Sequence, residues 1–189
     1  QLVNRLIVNV CEIPGEKIKS GQLAPYEWGQ LDYKIKELYD APLFVDDTPS
    51  LSVFELRTKA RRLVREHGVK IIIIDYLQLM KSGSRVESRV QEVSEITRNL
   101  KIMAKELNVP VVCLSQLSRG PESRTDKRPI MSDLRESGAI EQDADAILFL
   151  YRDDYYNPDT EEKNVAECIV SKNRHGEVGT VKLQWLPQY

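Results

Sequence analysis

Apolar and polar positions along this chain alternate between two periods. Leu2, Val3, Leu6, Ile7 and Val10 recur at helical spacing, with no capping residue before them. Trp28, Leu31, Ile35 and Leu38 repeat at three and four residues and predict another helix. Pro25 stands near its first turn, where proline is tolerated. Leu43, Phe44 and Val45 predict a short strand ending at Asp46 and Asp47. Ser52 and Glu55 have capping-box spacing. They open a predicted helix with Val53, Leu56, Ala60, Leu63 and Val64 on one face, stopped by Gly68. The period then breaks. Ile71, Ile72, Ile73 and Ile74 are four β-branched residues in a row, followed by Asp75. Such a run predicts a strand buried on both faces inside a parallel sheet.

Residues 81–88 form a polar loop. Val90, Val93, Ile96, Leu100, Met103 and Leu107 predict a long helix ending at Asn108, a suitable left-handed cap. Residues 109–114 predict the next strand, and 118–133 are polar and rich in arginine and proline. A short helix over 134–142, a strand over 144–150 and a charged loop over 153–164 follow. Two last strands, over 165–170 and 178–185, are joined across 173–177. Strands separated by helices need crossover connections, so the chain reads as α/β, a mostly parallel sheet flanked by helices. The last two strands predict an antiparallel edge hairpin at the C-terminus.

The net charge of −2 gives bulk electrostatics no reason to attract a polyanion, so any nucleic-acid site must be a local patch. No apolar run approaches the roughly 20 residues a membrane span needs, and no signal-peptide pattern is present. Cys11, Cys113 and Cys168 are odd in number and far apart. They read as buried free thiols of a reducing compartment, not a zinc site or a disulfide framework. Neither His67 nor His175 has a partner at metal-ligand spacing; His67 reads as a helix-terminal residue.

The candidate chemistry lies at strand ends and loops. Ligands of open α/β sheets bind beyond the carboxyl ends of strands, where Asp75 falls. It reads either as a Walker-B aspartate holding magnesium through its water shell or as a plain strand-ending cap. Gln116 would share that rim if the two strands are parallel neighbours. It could donate to a terminal phosphate or orient a water, or it could cap the following loop. In the loop after it, Arg119, Arg124, Lys127, Arg128 and Arg135 outnumber Glu122, Asp126 and Asp133. With Gly120, Pro121 and Pro129, this is a mobile basic loop able to track a phosphate backbone, or an ordinary solvated one. Residues 133–145 carry more polar groups than a core helix needs, and Ser137-Gly138 suits close backbone approach to a ligand. Lys172 and Arg174 flank Asn173 at the tip of the terminal hairpin. They could reach a neighbouring subunit's nucleotide, or form a common basic turn. Nothing matches G-x-x-x-x-G-K followed by Ser or Thr, so the sequence holds half a nucleotide site.

Taken together these motifs resemble the bacterial replicative DNA helicases of the DnaB type. The resemblance rests on IIDYLQL at 73–79, KELNVPV at 105–111, LSQL at 114–117 and KRP at 127–129. DLRESGAIEQDAD at 133–145 and KNRHG at 172–176 complete it, so it covers nearly the whole chain. It implies that residues 1–189 are a partial RecA-like ATPase domain of a homo-hexameric ring that moves on single-stranded DNA. On it, Asp75 is the Walker-B acid, binding Mg²⁺ through water, and Gln116 senses the γ-phosphate of ATP. Lys172 and Arg174 act in a neighbour's ATP site. Arg135, Glu136 and Gly138 contact the DNA backbone, and the loop over 81–90 lines the channel. Primase and a helicase loader are the implied partners, and bacterial cytoplasm, near the nucleoid, the implied location.

In that family an N-terminal helical domain, a linker helix, the phosphate-binding loop and a catalytic glutamate precede the point where Gln1 stands. The chain by itself is therefore expected to read as a piece of a larger protein, inactive alone, with apolar surface exposed. Two other readings compete. A RecA-like recombinase paralogue would share the Walker-B strand but not the 133–145 and 172–176 matches. A nucleotide-independent single-strand binder or assembly module fits the missing phosphate loop. Against it, aromatics are sparse, with Tyr151, Tyr155 and Tyr156 the only cluster.

Overall fold

The computed structural model describes residues 2–134 and 137–188. It divides into two compact units, residues 1–45 with 184–189 and residues 46–183. Among the described residues no helix is long and apolar enough to cross a membrane.

The first unit is built from α1 (Leu2–Cys11), α2 (Gly15–Ser20) and α3 (Pro25–Tyr39). Cys11 and Ile13 are its buried apolar residues. Gln30 Nε2 donates to the Cys11 carbonyl at 2.7 Å, tying α3 to the end of α1. Glu27 accepts from the Ala24 N–H at 2.8 Å and pairs with Lys17 at 2.6 Å, tying α2 to the start of α3. The strand predicted at Leu43, Phe44 and Val45 does not form. These residues are exposed and belong to none of the strands formed among the described residues.

The second unit carries the sheets. α4 (Val53–His67) begins with the predicted capping box. Ser52 Oγ accepts from the Glu55 N–H at 3.2 Å, and Glu55 accepts from the Ser52 N–H at 3.0 Å. Gly68, at φ 65°, closes the helix in the left-handed region. α5 (Arg89–Leu107) ends at Asn108, also left-handed at φ 52°. Between them β1 (Ile72–Ile74) pairs in parallel with β2 (Val111–Cys113), Ile73 opposite Val112. Val53 and Ala60 of α4 meet Val93, Ile96, Leu100 and Met103 of α5, with Leu77 and Met80, in one apolar core. Ile72, Ile74, Val111 and Cys113 pack against it.

Here the structure corrects the sequence reading. β1 is not buried on both faces: Ile71 is 49% exposed and Ile73 65%. Side chains alternate along a strand, and the core beneath α4 and α5 covers one set only. Val112 and Leu114 of the neighbouring strand segment are also exposed. One side of the parallel pair therefore presents apolar side chains to the surface.

The remaining elements are α6 (Gly120–Ser123), α7 (Ser137–Asp143), β3 (Ala146–Tyr151), α8 (Asp153–Tyr156), β4 (Val165–Asn173) and β5 (Gly179–Gln184). β3, β4 and β5 form a three-stranded sheet in that order, β3 antiparallel to β4. β3 therefore joins the C-terminal hairpin strands and not the β1–β2 pair, as far as the described residues go. Along it Ile147, Phe149 and Tyr151 are buried while Leu148 and Leu150 are exposed. Leu134, Ile147 and Phe149 make a second core, and Ile140 of α7 packs against both cores. α7 thereby bridges α5 and the terminal sheet. All three cysteines are free, Cys11 buried and the other two partly so.

Candidate functional site

Asp75 follows the last residue of β1 and Gln116 lies three residues beyond β2, so both stand at the carboxyl rim of adjacent parallel strands. The Leu114 N–H donates to the Ile74 carbonyl at 2.9 Å, and the Leu77 N–H to the Leu114 carbonyl at 2.9 Å. The Asp75–Tyr76 peptide is cis. Gln78 clamps the two strand ends together. Its Nε2 donates to Ser115 Oγ at 3.0 Å and its Oε1 accepts from the Gln116 N–H at 3.1 Å. Sequence reasoning passed over Gln78; the only signal for it was a polar side chain within the IIDYLQL run.

Asp75 and the Gln116 side chain are both exposed. An exposed carboxylate carries no burial cost that a cation must offset, so the candidacy of Asp75 rests on place. Among the described residues no group of three or more His, Cys, Asp or Glu could hold a metal ion. A single carboxylate still fits magnesium, which keeps several waters and is bound by one or two carboxylates plus substrate phosphates.

Lys172 and Arg174 lie elsewhere. The Arg174 N–H donates to the Asp145 carbonyl at 2.8 Å, and Arg174 Nε pairs with Asp145 Oδ1 at 2.9 Å. Lys172 Nζ donates to the Glu141 carbonyl at the end of α7. Lys101 of α5 pairs with the other oxygen of Asp145. The Lys101 hydrogen bond, with charge from Arg174 and His175, holds the Asp145 carboxyl below its usual range. An open cleft of about 380 Å³ runs past Lys101, Gln142, Asp145, Arg174 and His175. It continues along Asn108, Val109 and Pro110, which lead into the N-terminal end of β2. Asp75 and Gln116 thus stand at one end of the parallel pair, and the hairpin tip stands near the other.

The basic loop differs from the mobile segment predicted. Arg124 grips Asp133 with both Nη atoms, at 2.7 and 2.6 Å, and Asp133 is 2% exposed. Asp133 also accepts from the Ile130 N–H at 2.8 Å. A Cβ on Gly120 would stand 2.6 Å from its Oδ1, so glycine is needed for this approach. Arg128 grips Glu167 of β4 at 2.9 and 2.7 Å, with its guanidinium carbon 4.8 Å from the Tyr151 ring centre. Lys127 Nζ donates to the Glu122 and Arg124 carbonyls at 3.0 and 3.2 Å. The loop is tied down because Arg124 and Arg128 meet buried carboxylates, and Lys127 meets backbone carbonyls, that spacing alone does not reveal. Arg119 alone of these four is exposed with no ion pair among the described residues.

Arg124 holds the Asp133 carboxyl below its usual range. A depressed carboxylate contributes stability that is present above its unfolded value, about pH 4, and lost as pH falls through the lowered one. Replacing Arg124 by Gln removes the main cause of the depression and leaves burial, which raises the value. Acid unfolding of Arg124→Gln, followed by circular dichroism, is expected to begin at higher pH than in wild type.

Arg135 and Glu136 lie outside the described residues. Gly138, in the first turn of α7, is exposed, and a Cβ there would meet nothing within 4 Å. The chain's own packing gives no reason for glycine at this position.

Comparison with known proteins bears on this arrangement. The family model described as the DnaB-like helicase C-terminal domain matches residues 1–189. The chain is 53% identical to the replicative DNA helicase DnaB of Geobacillus stearothermophilus and 52% to the replicative DNA helicase DnaC of Bacillus subtilis. All of this chain is covered in both, but only 42% of either relative. A solved DnaB-like replicative helicase, described with its primase interactions, superposes with a TM-score of 0.94 at 46% identity. That match covers 99% of this chain and 47% of the other. A second solved structure, described as an ATPase domain, superposes with a TM-score of 0.92, also at 46% identity, over 97% of this chain and 66% of that one.

Proposed function

Because the chain belongs to the DnaB-like helicase C-terminal domain family, we propose that it serves as part of the RecA-like ATPase domain of a hexameric replicative DNA helicase. The whole protein would use ATP and Mg²⁺ to move along single-stranded DNA and unwind duplex at the replication fork. Primase and a helicase loader are its proposed partners, and the bacterial cytoplasm, at the nucleoid, its proposed location.

One observation supports this reading best: the candidate nucleotide residues and the candidate trans residues stand at opposite ends of the β1–β2 pair. Residues so placed lie at different ends of one copy's strands, and successive copies can bring them together. Asp75 would hold magnesium through water, and Gln116 would donate to the γ-phosphate. Magnesium, when bound, neutralises charge developing on the transferred phosphoryl group. Lys172 and Arg174 would add positive charge from the neighbouring copy. For DNA we propose backbone contacts at Arg135, Glu136, Gly138 and Arg119. The fold commits Arg124, Lys127 and Arg128 elsewhere, which weighs against the same role for them.

ATP hydrolysis by the full-length protein, with and without single-stranded DNA, tests the reading beside its Asp75→Asn variant. Stimulation by DNA that vanishes in the variant supports it. No hydrolysis with DNA binding retained would instead favour a nucleotide-independent binder. A filament in place of a ring would favour the recombinase paralogue.

Gly138→Ala separates packing from recognition. A helical Gly→Ala change with free space around the new methyl stabilises by about 0.5–1 kcal/mol. The variant is expected to melt slightly higher yet bind single-stranded DNA more weakly. Unchanged DNA affinity in a fluorescence anisotropy titration would remove Gly138 from the contact set.

A further inference from the structure

We infer that Asp145 is a positioning residue for Arg174, holding the guanidinium by its Nε edge so that its outer nitrogens face a neighbouring copy's phosphates. The inference rests on the trans role proposed above for Arg174.

Asp145 meets the hairpin in two ways. Its carbonyl accepts the Arg174 N–H at 2.8 Å, fixing the backbone, and Oδ1 forms an ion pair with Nε at 2.9 Å, drawing the guanidinium toward the carboxylate. A guanidinium has five donors in a rigid fork. Here Nε is ion-paired with Asp145, and Nη2 makes one long contact with the Gln142 carbonyl at 3.4 Å. Nη1 has no hydrogen bond among the described residues. A carboxylate on the Nε edge therefore orients the fork while leaving donors free for phosphate oxygens.

Lys101 explains how Asp145 holds its own orientation. It engages Oδ2, so the carboxylate is pinned between a cation on α5 and a cation on the hairpin. The Arg174 and Asp145 side chains are about half exposed, and pairs of that kind add little stability. What the arrangement supplies is direction. The junction itself has a separate tie, because Thr97 Oγ1 donates to Asp143 Oδ2 at 2.6 Å. Loss of the Asp145 charge should therefore not undo α7.

The test uses full-length protein with saturating single-stranded DNA. Asp145→Asn is expected to lower kcat about ten- to hundredfold, the scale on which a small misplacement acts. KM and the affinity for a fluorescent nucleotide should stay within about twofold, since ground-state binding is untouched. Asp145→Glu should recover part of the loss, and Lys101→Met should reproduce it more weakly with assembly retained by size-exclusion chromatography.

Mixed rings then separate trans from cis action. Asp75→Asn subunits lack their own metal ligand but offer an intact Arg174. Mixed with Asp145→Asn subunits, they should restore hydrolysis above that of either variant alone. Wild-type kcat in Asp145→Asn would overturn the inference. So would failure of that mixture while a control mixture of Asp75→Asn with Arg174→Ala recovers activity; the trans role of Arg174 would then stand without Asp145. Failure of the control mixture removes the trans role and the inference with it.

Discussion

Replacing Arg174 by Ala in the full-length protein is expected to stop ATP hydrolysis while leaving nucleotide binding largely intact. Phosphoryl transfer demands little covalent chemistry of a protein, so positioned positive charge does most of the work. An arginine supplied from a neighbour is worth roughly 10³ to 10⁵ in rate. Arg174 sits on a strand-borne turn, tied by backbone and side chain to Asp145, and so is presented from a fixed base. It also belongs to the turn that stands by the start of β2, whereas Asp75 stands at the carboxyl end of β1, so its loss should not disturb the metal's side of the site. Steady-state turnover and equilibrium binding of a fluorescent nucleotide, measured on the same preparation, check this. Wild-type turnover in Arg174→Ala would rule out the trans role.

Arg128→Ala should act on stability instead. The change leaves Glu167, 7% exposed on β4, without its bidentate partner and removes the cation over Tyr151. Breaking a buried pair in this one-sided way costs about 3–5 kcal/mol. The Arg128 side chain keeps 43% exposure, so solvent screening reduces the expected loss to about 1–3 kcal/mol. At this chain length each kcal/mol lowers the melting temperature by about 2–4 °C. The salt dependence of single-strand binding gives the contrasting readout. Each phosphate neutralised contributes a log–log slope of about −0.7. Arg128→Ala should leave that slope alone, whereas Arg119→Ala should make it shallower by up to about one phosphate's worth. A shallower slope in Arg128→Ala with an unchanged melting temperature would reverse the assignment.

Local signals carried well from sequence to structure. The capping box at Ser52 and Glu55, the left-handed stops at Gly68 and Asn108, and the placing of Asp75 and Gln116 on one rim were all readable. Each depends on neighbours in the chain or on the simple geometry of a parallel pair. What escaped depends on partners far away in sequence. Four isoleucines in a row look alike, yet only alternate ones meet α4 and α5. The run at 43–45 has strand-forming residues but belongs to neither sheet among the described residues. Most plainly, Arg124 and Arg128 read as a basic patch, because nothing in the loop announces Asp133 as buried or Glu167 as lying opposite. Asp145, Gln78 and Lys101 were missed for the same reason. Their importance lies in whom they touch.

The head-and-tail placement of the two candidate half-sites has a counting consequence. On the proposed reading, copies join heterologously, each offering its Arg174 end to the next copy's Asp75 end. An open row of n copies then completes n − 1 sites and leaves one acceptor end and one donor end idle. Closing the row adds a site without adding a subunit. Activity per subunit should therefore follow (n − 1)/n as an open row lengthens, and closure supplies only the last 1/n, so turnover gauges association first and shutting of the ring in its final increment.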